Sequence, residues 1–357
     1  MHTRHHPARA RGAVIAILVL AFTALLAGVA HADEDADVWR MEGDDRFGTA
    51  VAVSEQQPYY QFPEDIIVAT GMNYPDALAA GPAAHQPGAG RGSILLTARN
   101  VLPSVTEDRI GDILPDTIYL VGGTAAVSRE VEAELYRLAN DVERIAGPTR
   151  FHTAAEVSRT FFSGTGGDVV VATGTDYPDA LSGTPLARAA GGPALLTARD
   201  HLPSPTEDEL SRLSPDRVFV IGGTAAISDS VISEIRSTTS AEVFRIAGAN
   251  RYDTSARVAE LISGRQAFVA TGEDYPDALT GGALAGYGGD PVMLVAQDHA
   301  PEPVLEQLRE REAEEIIVLG GTSAVSSSTE EELRYYEQGG GNGNGNGPCP
   351  PEPGSPC

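Results

Sequence analysis

One set of short motifs occurs three times in this chain of 357 residues, always in the same order. The first motif joins a glycine to an Arg-aromatic-x-Thr block, and the second joins Ala-Thr-Gly to Tyr-Pro-Asp-Ala-Leu. The third motif is Gly-Gly-Thr, and the aspartates of the second motif lie 103 and 98 residues apart. A period of about 100 residues is too long for a solenoid repeat and suits a small domain. The sequence therefore predicts three similar domains in tandem.

Within each copy, short apolar runs alternate with helix-start signals. In the second copy the runs are 169–172, 194–197 and 218–221, and they are apolar throughout, as in parallel strands that are covered on both faces. Helix starts are predicted by capping boxes at Ser104 and Ser204, and by serines after the Gly-Gly-Thr motif at Ser128, Ser228 and Ser326. Strand, helix and strand in repetition predict an α/β fold with a small open parallel sheet in each domain.

The domain boundaries are predicted at links of only a few residues, 141–143 and 241–243. This gives domains at 39–143, 144–244 and 245–336, and such short links favour domains packed around a pseudo-threefold axis, with a linear row as the alternative. The tail 337–357 is rich in Gly, Asn and Pro and is predicted to be disordered. Its two cysteines, Cys349 and Cys357, suit either an internal disulfide or a bridge between chains.

The first 32 residues have the pattern of a secretory signal peptide. Arginines precede an apolar run, and Ala30 and Ala32 form an A-x-A site, which predicts cleavage after Ala32. A membrane anchor is the alternative, although the run is short of the roughly 20 residues that a span needs. Cleavage removes three arginines and no acid, so the formal charge falls from −25 to −28. No later stretch is apolar enough to span a bilayer, which predicts a secreted protein.

The composition excludes several function classes. The chain has no lysine, so a phosphate-binding P-loop and Schiff-base chemistry are excluded. The strong acidity argues against a nucleic-acid partner, which would require a basic face. Both cysteines lie in the last nine residues, so neither serves a folded core as nucleophile or zinc ligand.

The second motif follows a strand, so its polar residues are expected in the crevice at the carboxyl end of each sheet, where open α/β folds bind ligands. There the aspartates could contact a cation or a hydroxyl group, and the tyrosines could stack on a sugar. These candidate residues are Asp76, Asp179, Asp277, Tyr74, Tyr177 and Tyr275. The alternative is structural, because an acid in the first turn also complements the helix dipole.

Arginine is the only strong cation of this chain, and its positions recur. Arg46, Arg150 and Arg251 occupy the first motif. Arg99 and Arg199 recur in two copies, and Gln297 occupies the same position in the third copy. Guanidinium groups suit bidentate contact with phosphate or carboxylate. Internal salt bridges are the alternative, but three copies would give a multivalent surface for a repeating polymer.

Enzyme signatures such as G-x-S-x-G or H-E-x-x-H are missing, and no histidine recurs in all three copies. We therefore expect a chain that is not an enzyme and that has no cofactor and no resident metal.

The three linked motifs resemble the type-2 cell-wall-binding repeat family over about residues 39–336. The family's Ile-Leu-Leu strand motif matches 94–96 and is altered at 194–196 and 293–295. The resemblance implies three Rossmann-like or Toprim-like domains around a pseudo-threefold axis. It also implies non-covalent anchoring to the envelope of Gram-positive bacteria through an anionic wall polysaccharide or a teichoic-acid-like polymer.

A charge of −28 opposes the binding of a polyanion at low salt. Three explanations are open: arginines clustered in grooves, divalent cations that bridge protein and polymer, or adaptation to a salty habitat. Two other functions are carried as alternatives: a metal-dependent enzyme that uses Asp76, Asp179 or Asp277 on a phosphate ester, and a self-assembling surface-layer protein.

Overall fold

The computed structural model describes residues 36–56, 65–73, 75–84, 86, 94–176 and 178–336. In these ranges strands and helices alternate from the first element to the last. The strands are β1 Asp37–Met41, β2 Ile66–Thr70, β3 Ile94–Thr97, β4 Thr117–Val121, β5 Asp141–Ile145, β6 Asp168–Thr173, β7 Ala194–Thr197, β8 Arg217–Ile221, β9 Glu242–Ile246, β10 Gln266–Thr271, β11 Val292–Val295 and β12 Glu315–Leu319. The helices are α1 Arg46–Glu55, α2 Pro75–Ala83, α3 Ser104–Ile113, α4 Arg129–Leu135, α5 Arg150–Phe161, α6 Pro178–Ala189, α7 Ser204–Leu213, α8 Asp229–Thr238, α9 Arg251–Ala259, α10 Pro276–Gly288, α11 Glu302–Glu310 and α12 Ser327–Arg334.

The strands form three four-stranded sheets in which every pairing is parallel. Their orders are β3-β2-β4-β5, β7-β6-β8-β9 and β11-β10-β12-β1. In each sheet the strand that carries Ala-Thr-Gly lies inside the sheet, and β2 and β6 are buried over their whole length. This explains their uninterrupted apolar sequence, because helices cover both faces of such a strand. The predicted α/β fold with three small parallel sheets is confirmed.

The residues interpreted as links between domains are strands instead. Residues 141–143 belong to β5, and residues 242 and 243 begin β9; these strands complete the first and second sheets. Both are edge strands that mix polar and apolar residues, Asp-Val-Glu-Arg-Ile and Glu-Val-Phe-Arg-Ile. Because one face of such a strand is exposed, it lacks the continuous apolar run by which the other strands were recognised. The boundaries 143/144 and 244/245 consequently fall inside strands.

The third sheet takes its fourth strand from the beginning of the described chain. β1 pairs with β12, so that Val38 lies beside Ile316. Trp39, the single tryptophan, donates its indole N–H to the Glu315 carboxylate at 2.6 Å. The Arg40 guanidinium donates to the Val325 carbonyl at 3.0 Å and pairs with Glu330 at 2.7 Å. The three domains therefore form a closed ring, in which each edge strand leads into the next domain.

Helices α2, α6 and α10 pack against one another where the three domains meet. Almost all of their residues are buried, and many are Ala or Gly, which lets the helix backbones approach closely. A Cβ atom added at Gly81 would overlap the methyl group of Thr184, which is only 3% exposed. These helices begin at the proline of Tyr-Pro-Asp-Ala-Leu, so the same motif that lies beside the sheet crevice also forms the centre of the ring. The predicted pseudo-threefold packing is confirmed.

Two details of the sequence analysis need correction. α3 and α7 begin at the serines of the predicted capping boxes, and the N-cap is the preceding Pro103 or Pro203, without a side-chain cap bond. The predicted capping boxes are therefore wrong by one position. In the third copy, Leu294 lies beside Ala270 as Leu96 lies beside Ala69, so 292–294 and not 293–295 correspond to 94–96. The predicted N-caps Ser128, Ser228 and Ser326 are confirmed.

Candidate functional site

The candidate residues come together at three equivalent junctions between consecutive domains. At each junction, the first turn of a central helix meets the first turn of the helix that opens the next domain. We name the junctions by these domains. Junction 1–2 holds Asp76 and Arg150, junction 2–3 holds Asp179 and Arg251, and junction 3–1 holds Asp277 and Arg46.

A threonine hydroxyl connects the two domains at every junction. Thr153, three residues after Arg150, accepts the Gly147 N–H at 3.2 Å and donates its hydroxyl to the Asp76 carboxylate. Thr254 and Thr49 repeat this bridge to Asp179 and Asp277. These threonines were not among the predicted site residues, although they recur in every copy of the Arg-aromatic-x-Thr block. Their recurrence was the signal, and it indicates a contact between domains.

Each aspartate is also covered by the Gly-Gly-Thr turn of its own domain. A Cβ atom added at Gly122 would lie 2.8 Å from Asp76 Oδ2, and one at Gly222 would lie 2.9 Å from Asp179 Oδ2. The first glycine of the turn has a φ of +120° in domain 1 and +121° in domain 2, a conformation that favours glycine. The second glycine, Gly123 or Gly223, has nothing within 4 Å of an added Cβ. Only the first glycine is therefore required by the geometry.

Burial raises the pKa of Asp76, Asp179 and Asp277 above the ordinary value for aspartate. The hydrogen bond from the threonine and the positive charge of the nearby arginine act in the opposite direction, but their effect is smaller. All three side chains are half-buried between two domains. They are thus placed to join domains, and their role as polymer contacts stays a prediction.

The raised pKa values predict that these carboxylates destabilise the fold at neutral pH. A carboxyl whose pKa is higher in the folded state stabilises the fold only below its unfolded pKa, and that contribution is lost as pH rises through the folded pKa. Replacing all three aspartates by asparagine should therefore raise the melting temperature at pH 7, since the amide oxygen still accepts from threonine. The gain should vanish below about pH 4.

The measurement is thermal unfolding of both proteins from pH 3 to pH 8. An Asp44→Asn variant is the control, because Asp44 is an exposed carboxyl at junction 3–1. A triple variant that is less stable than the original protein at pH 7 would contradict the prediction.

The arginines of the first motif are fixed within their own domains. Each donates Nη1 to the glycine carbonyl of Ala-Thr-Gly, and for Arg46 this bond to Gly71 is 2.7 Å long. Arg46 also pairs with Asp274 of domain 3 at 3.6 Å and lies over the Tyr275 ring, 5.8 Å from its centroid. Tyr275 places its hydroxyl 3.4 Å from the same Gly71 carbonyl. Tyr74 and Tyr177 lie outside the described residues.

Arg99 and Arg199 are exposed, yet each is held in place. Their Nε atoms donate to the carbonyls of Ala125 and Ala225, in both cases at 2.8 Å. The Arg99 side chain is thus exposed on a fixed base, which suits its guanidinium group for bidentate contact with an anion. Arg199 pairs with Asp200 at 2.9 Å.

A second set of recurring arginines holds the Gly-Gly-Thr turns. Arg144 and Arg245 donate to the carbonyls of Gly122 and Gly222 at 2.7 Å, and Arg40 donates to Gly320 at 2.5 Å. Each arginine also pairs with a carboxylate of the helix that follows the Gly-Gly-Thr turn. These three arginines therefore form internal salt bridges, which was the alternative to ligand binding.

A cleft of about 330 Å³ lies at junction 3–1. It is lined from domain 1 by the turn into α1 and from domain 3 by the residues after β10 and β12. Gln297, at the position of Arg99 and Arg199, lines the same cleft as Arg46. In the described part of the chain, no cluster of three or more His, Cys, Asp or Glu side chains is arranged to hold a metal ion. None of the described helices combines the length and apolarity that crossing a bilayer requires.

Comparison with known families identifies the repeats. The model of cell wall binding domain 2 matches three times, at 40–132, 144–232 and 245–330. The chain belongs to this family. A cell wall binding domain 2 triplet is a cell-wall-binding module, and its place of action is the cell wall. Each match begins at the arginine of an edge strand, Arg40, Arg144 or Arg245, so the family unit begins where one sheet ends and the next domain starts.

Two relatives from Bacillus subtilis share this triplet. The N-acetylmuramoyl-L-alanine amidase LytC is 30% identical over 322 residues, which is 90% of this chain and 62% of LytC. The amidase enhancer is 29% identical over 85% of this chain and 41% of its own length. The chain thus spans only part of both relatives.

Two solved structures share the fold. Cwp8 from Clostridium difficile matches with a TM-score of 0.73 and 27% identity, over 85% of this chain and 52% of Cwp8. Cwp6 from the same organism matches with a TM-score of 0.76 and 22% identity, over 85% of this chain and 48% of Cwp6.

Proposed function

We propose that the triplet anchors an exported protein to the bacterial envelope by binding an anionic wall polymer without a covalent bond. Membership of the cell wall binding domain 2 family supports the wall as the target. The anionic character of the ligand is supported by the exposed arginines. Arg99 is exposed and is fixed by a hydrogen bond from its Nε, whereas Arg199, held by the same bond, also pairs with Asp200.

The proposal includes export by a signal peptide at 1–32, which lies outside the described residues. It includes neither a resident cofactor nor a catalytic role. A polymer suits such a module, because several weak contacts along one ligand chain increase the overall affinity. Divalent cations that bridge the acidic surface and the polymer remain part of the proposal, and the experiment below separates them from direct arginine contacts.

The test is co-sedimentation of the purified secreted protein with Gram-positive cell walls. Walls are used intact and after acid extraction of their anionic polymers, over a series of salt concentrations, with calcium or with a chelator. We expect binding to intact walls, loss of binding after extraction, and weaker binding as the salt concentration rises. Salt screens the attraction between exposed charges, and the Debye length is about 10 Å at 0.1 M salt.

Loss of binding in the chelator would show that bridging cations carry the contact, and unchanged binding would assign it to arginine. Equal binding to intact and extracted walls would overturn the proposal that the ligand is an anionic polymer. Absence of binding to intact walls would overturn the proposed function as a whole.

A further inference from the structure

We propose that the three junctions are not equivalent: the anionic polymer binds at junction 1–2, through Arg99 and Arg150, and junction 3–1 does not bind it. The proposal rests on the function proposed above and specifies its site. It follows from a comparison of charges: the residues that line the cleft at junction 3–1 are compared with the equivalent residues at the two other junctions.

The matched positions are defined by the cleft at junction 3–1. Its charged lining consists of one arginine, Arg46, and five carboxyls. Those carboxyls are Asp44, Asp45, Glu273, Asp274 and Asp277. The corresponding positions at junction 2–3 hold two arginines and two carboxyls, namely Arg199, Arg251, Asp176 and Asp179. Those at junction 1–2 hold two arginines and one carboxyl, namely Arg99, Arg150 and Asp76. The formal charge thus changes sign around the ring.

Junction 3–1 is unsuited to an anion for geometric reasons as well. Arg46 pairs with Asp274, and Gln297 replaces the exposed arginine. Asp45 accepts the N–H groups of Phe47 and Gly48 at 2.9 Å, so its carboxylate already satisfies the amides that open α1. An incoming phosphate or carboxylate would meet four further carboxyls within the same cleft. Because like charges repel, these carboxyls disfavour the binding of an anion in this cleft.

Junction 2–3 is intermediate, since its exposed arginine is already paired. Arg199 contacts both oxygens of the Asp200 carboxylate, at 2.9 and 3.0 Å. Asp176 takes the place of Asp274. A polymer would therefore have to displace an ion pair here before it could reach the guanidinium group.

At junction 1–2 all of these carboxyls except the one at the position of Asp179 and Asp277 are replaced by neutral residues. Asn100 stands in place of Asp200, Asn73 in place of Asp176 and Asp274, and Met72 in place of Glu273. Thr149 and Pro148 replace the two aspartates before Arg46. The one carboxyl that remains, Asp76, has a pKa raised by burial. Glu130 lies close enough to Arg99 to be affected by its charge, but Arg129 acts on Glu130 as well.

Junction 1–2 also exposes an apolar side chain at a position that is polar in the two other copies. Met72 is 58% exposed, and the corresponding residues are Thr175 and Glu273. The equivalent residues Glu273, Gln297 and Arg46 line one cleft, so the Met72 thioether is expected beside Arg99 and Arg150. This combination suits a polymer whose units combine a sugar ring with an anionic group, because ligand sites join apolar contact area to a few fixed polar groups. The predicted ligand class at this junction is therefore an anionic glycan or a polyol phosphate.

The test compares matched single substitutions at equivalent positions. Arg99→Gln gives domain 1 the residue that domain 3 already carries, and Arg199→Gln makes the same change in domain 2. Affinity for the acid-extracted anionic wall polymer is measured by titration calorimetry. We expect Arg99→Gln to weaken binding about tenfold or more, because a charge-assisted hydrogen bond pair is lost. We expect Arg199→Gln to change it less than threefold.

A second variant changes the charge of junction 1–2 without touching an arginine. Met72→Glu with Asn73→Asp installs the domain 3 sequence in the domain 1 loop and should abolish binding. Its matched control, Thr175→Glu in domain 2, should leave binding within threefold of the original. Both loop positions are exposed in the original protein, and melting temperatures measured in parallel show that all variants are folded.

The outcomes separate this proposal from the function on which it rests. Equal losses from Arg99→Gln and Arg199→Gln, with tight binding by the original protein, would overturn the assignment to junction 1–2 and leave wall binding intact. Full binding by the Met72→Glu, Asn73→Asp variant would overturn it as well. Failure of the original protein to bind the polymer would instead reject the proposed function.

Discussion

A Val38→Asp substitution is expected to release β1 from the third sheet and to lower the free energy of unfolding by about 3–5 kcal/mol. Val38 is 5% exposed and packs into a core formed with Ile316 and Val318. A carboxylate at this position would be buried without a partner, and the fold can avoid that cost only by detaching the strand. Detachment also breaks the contacts of Trp39 and Arg40 with domain 3.

Trp39 makes the effect easy to measure. It is the single tryptophan and it is half-buried against Glu315, so detachment of β1 should shift the intrinsic fluorescence to longer wavelength. The melting temperature should fall by about 10 °C. Asp37→Asn is the control on the same strand, because Asp37 is exposed and should tolerate the change. Unchanged fluorescence and stability in Val38→Asp would contradict the closed ring.

The second large effect is expected at the centre of the ring. Gly81→Ala should lower the free energy of unfolding by about 1–3 kcal/mol, since the added methyl group overlaps that of Thr184. Thr184 is buried between α2 and α10 and cannot move without shifting a neighbouring helix. The substitution therefore strains the contact between domains 1 and 2.

Gly282→Ala provides a matched control at the same threonine. Gly282 lies on α10, and an added Cβ would lie 3.7 Å from the Thr184 Cβ, which is ordinary contact distance. Alanine in a helix interior is favoured over glycine by about 1 kcal/mol, so this variant should be as stable as the original protein or slightly more stable. Chemical denaturation of both variants gives the comparison. Equal destabilisation by the two changes would contradict close packing of the central helices.

Much of this fold can be predicted from the sequence, because the repeats display it three times. The inner strands are recognisable from runs such as Val-Val-Val-Ala, and the central helices begin at the prolines of their motif. The edge strands β1, β5 and β9 were not recognised as strands. Each of them mixes polar and apolar residues over five positions, so it resembles a surface link when the partner strand is unknown.

The candidate site is predictable in part. Recurrence selected the residues that meet at the junctions, including Asp76 and Arg150, but it could not show that they come from different domains. The sequence places Arg46 next to domain 1 alone, whereas the structure brings it to Asp277 of domain 3. The difference among the junctions depends on this pairing. The charges of one copy must be counted together with those of the next copy, and only the ring closure joins the last copy to the first.

The pairing of β1 with β12 has a consequence for how the protein is made. Trp39 and Glu315 are 276 residues apart, so the strand synthesised first finds its partner only after nearly all of the folded part has been made. Contacts of such high sequence separation slow folding, because the long intervening chain must be ordered before they form. Until then β1 and β12 are unpaired edges that attract other strands. A chain that lacks β1, or that ends before β12, cannot form this pairing, and its ring of domains stays open.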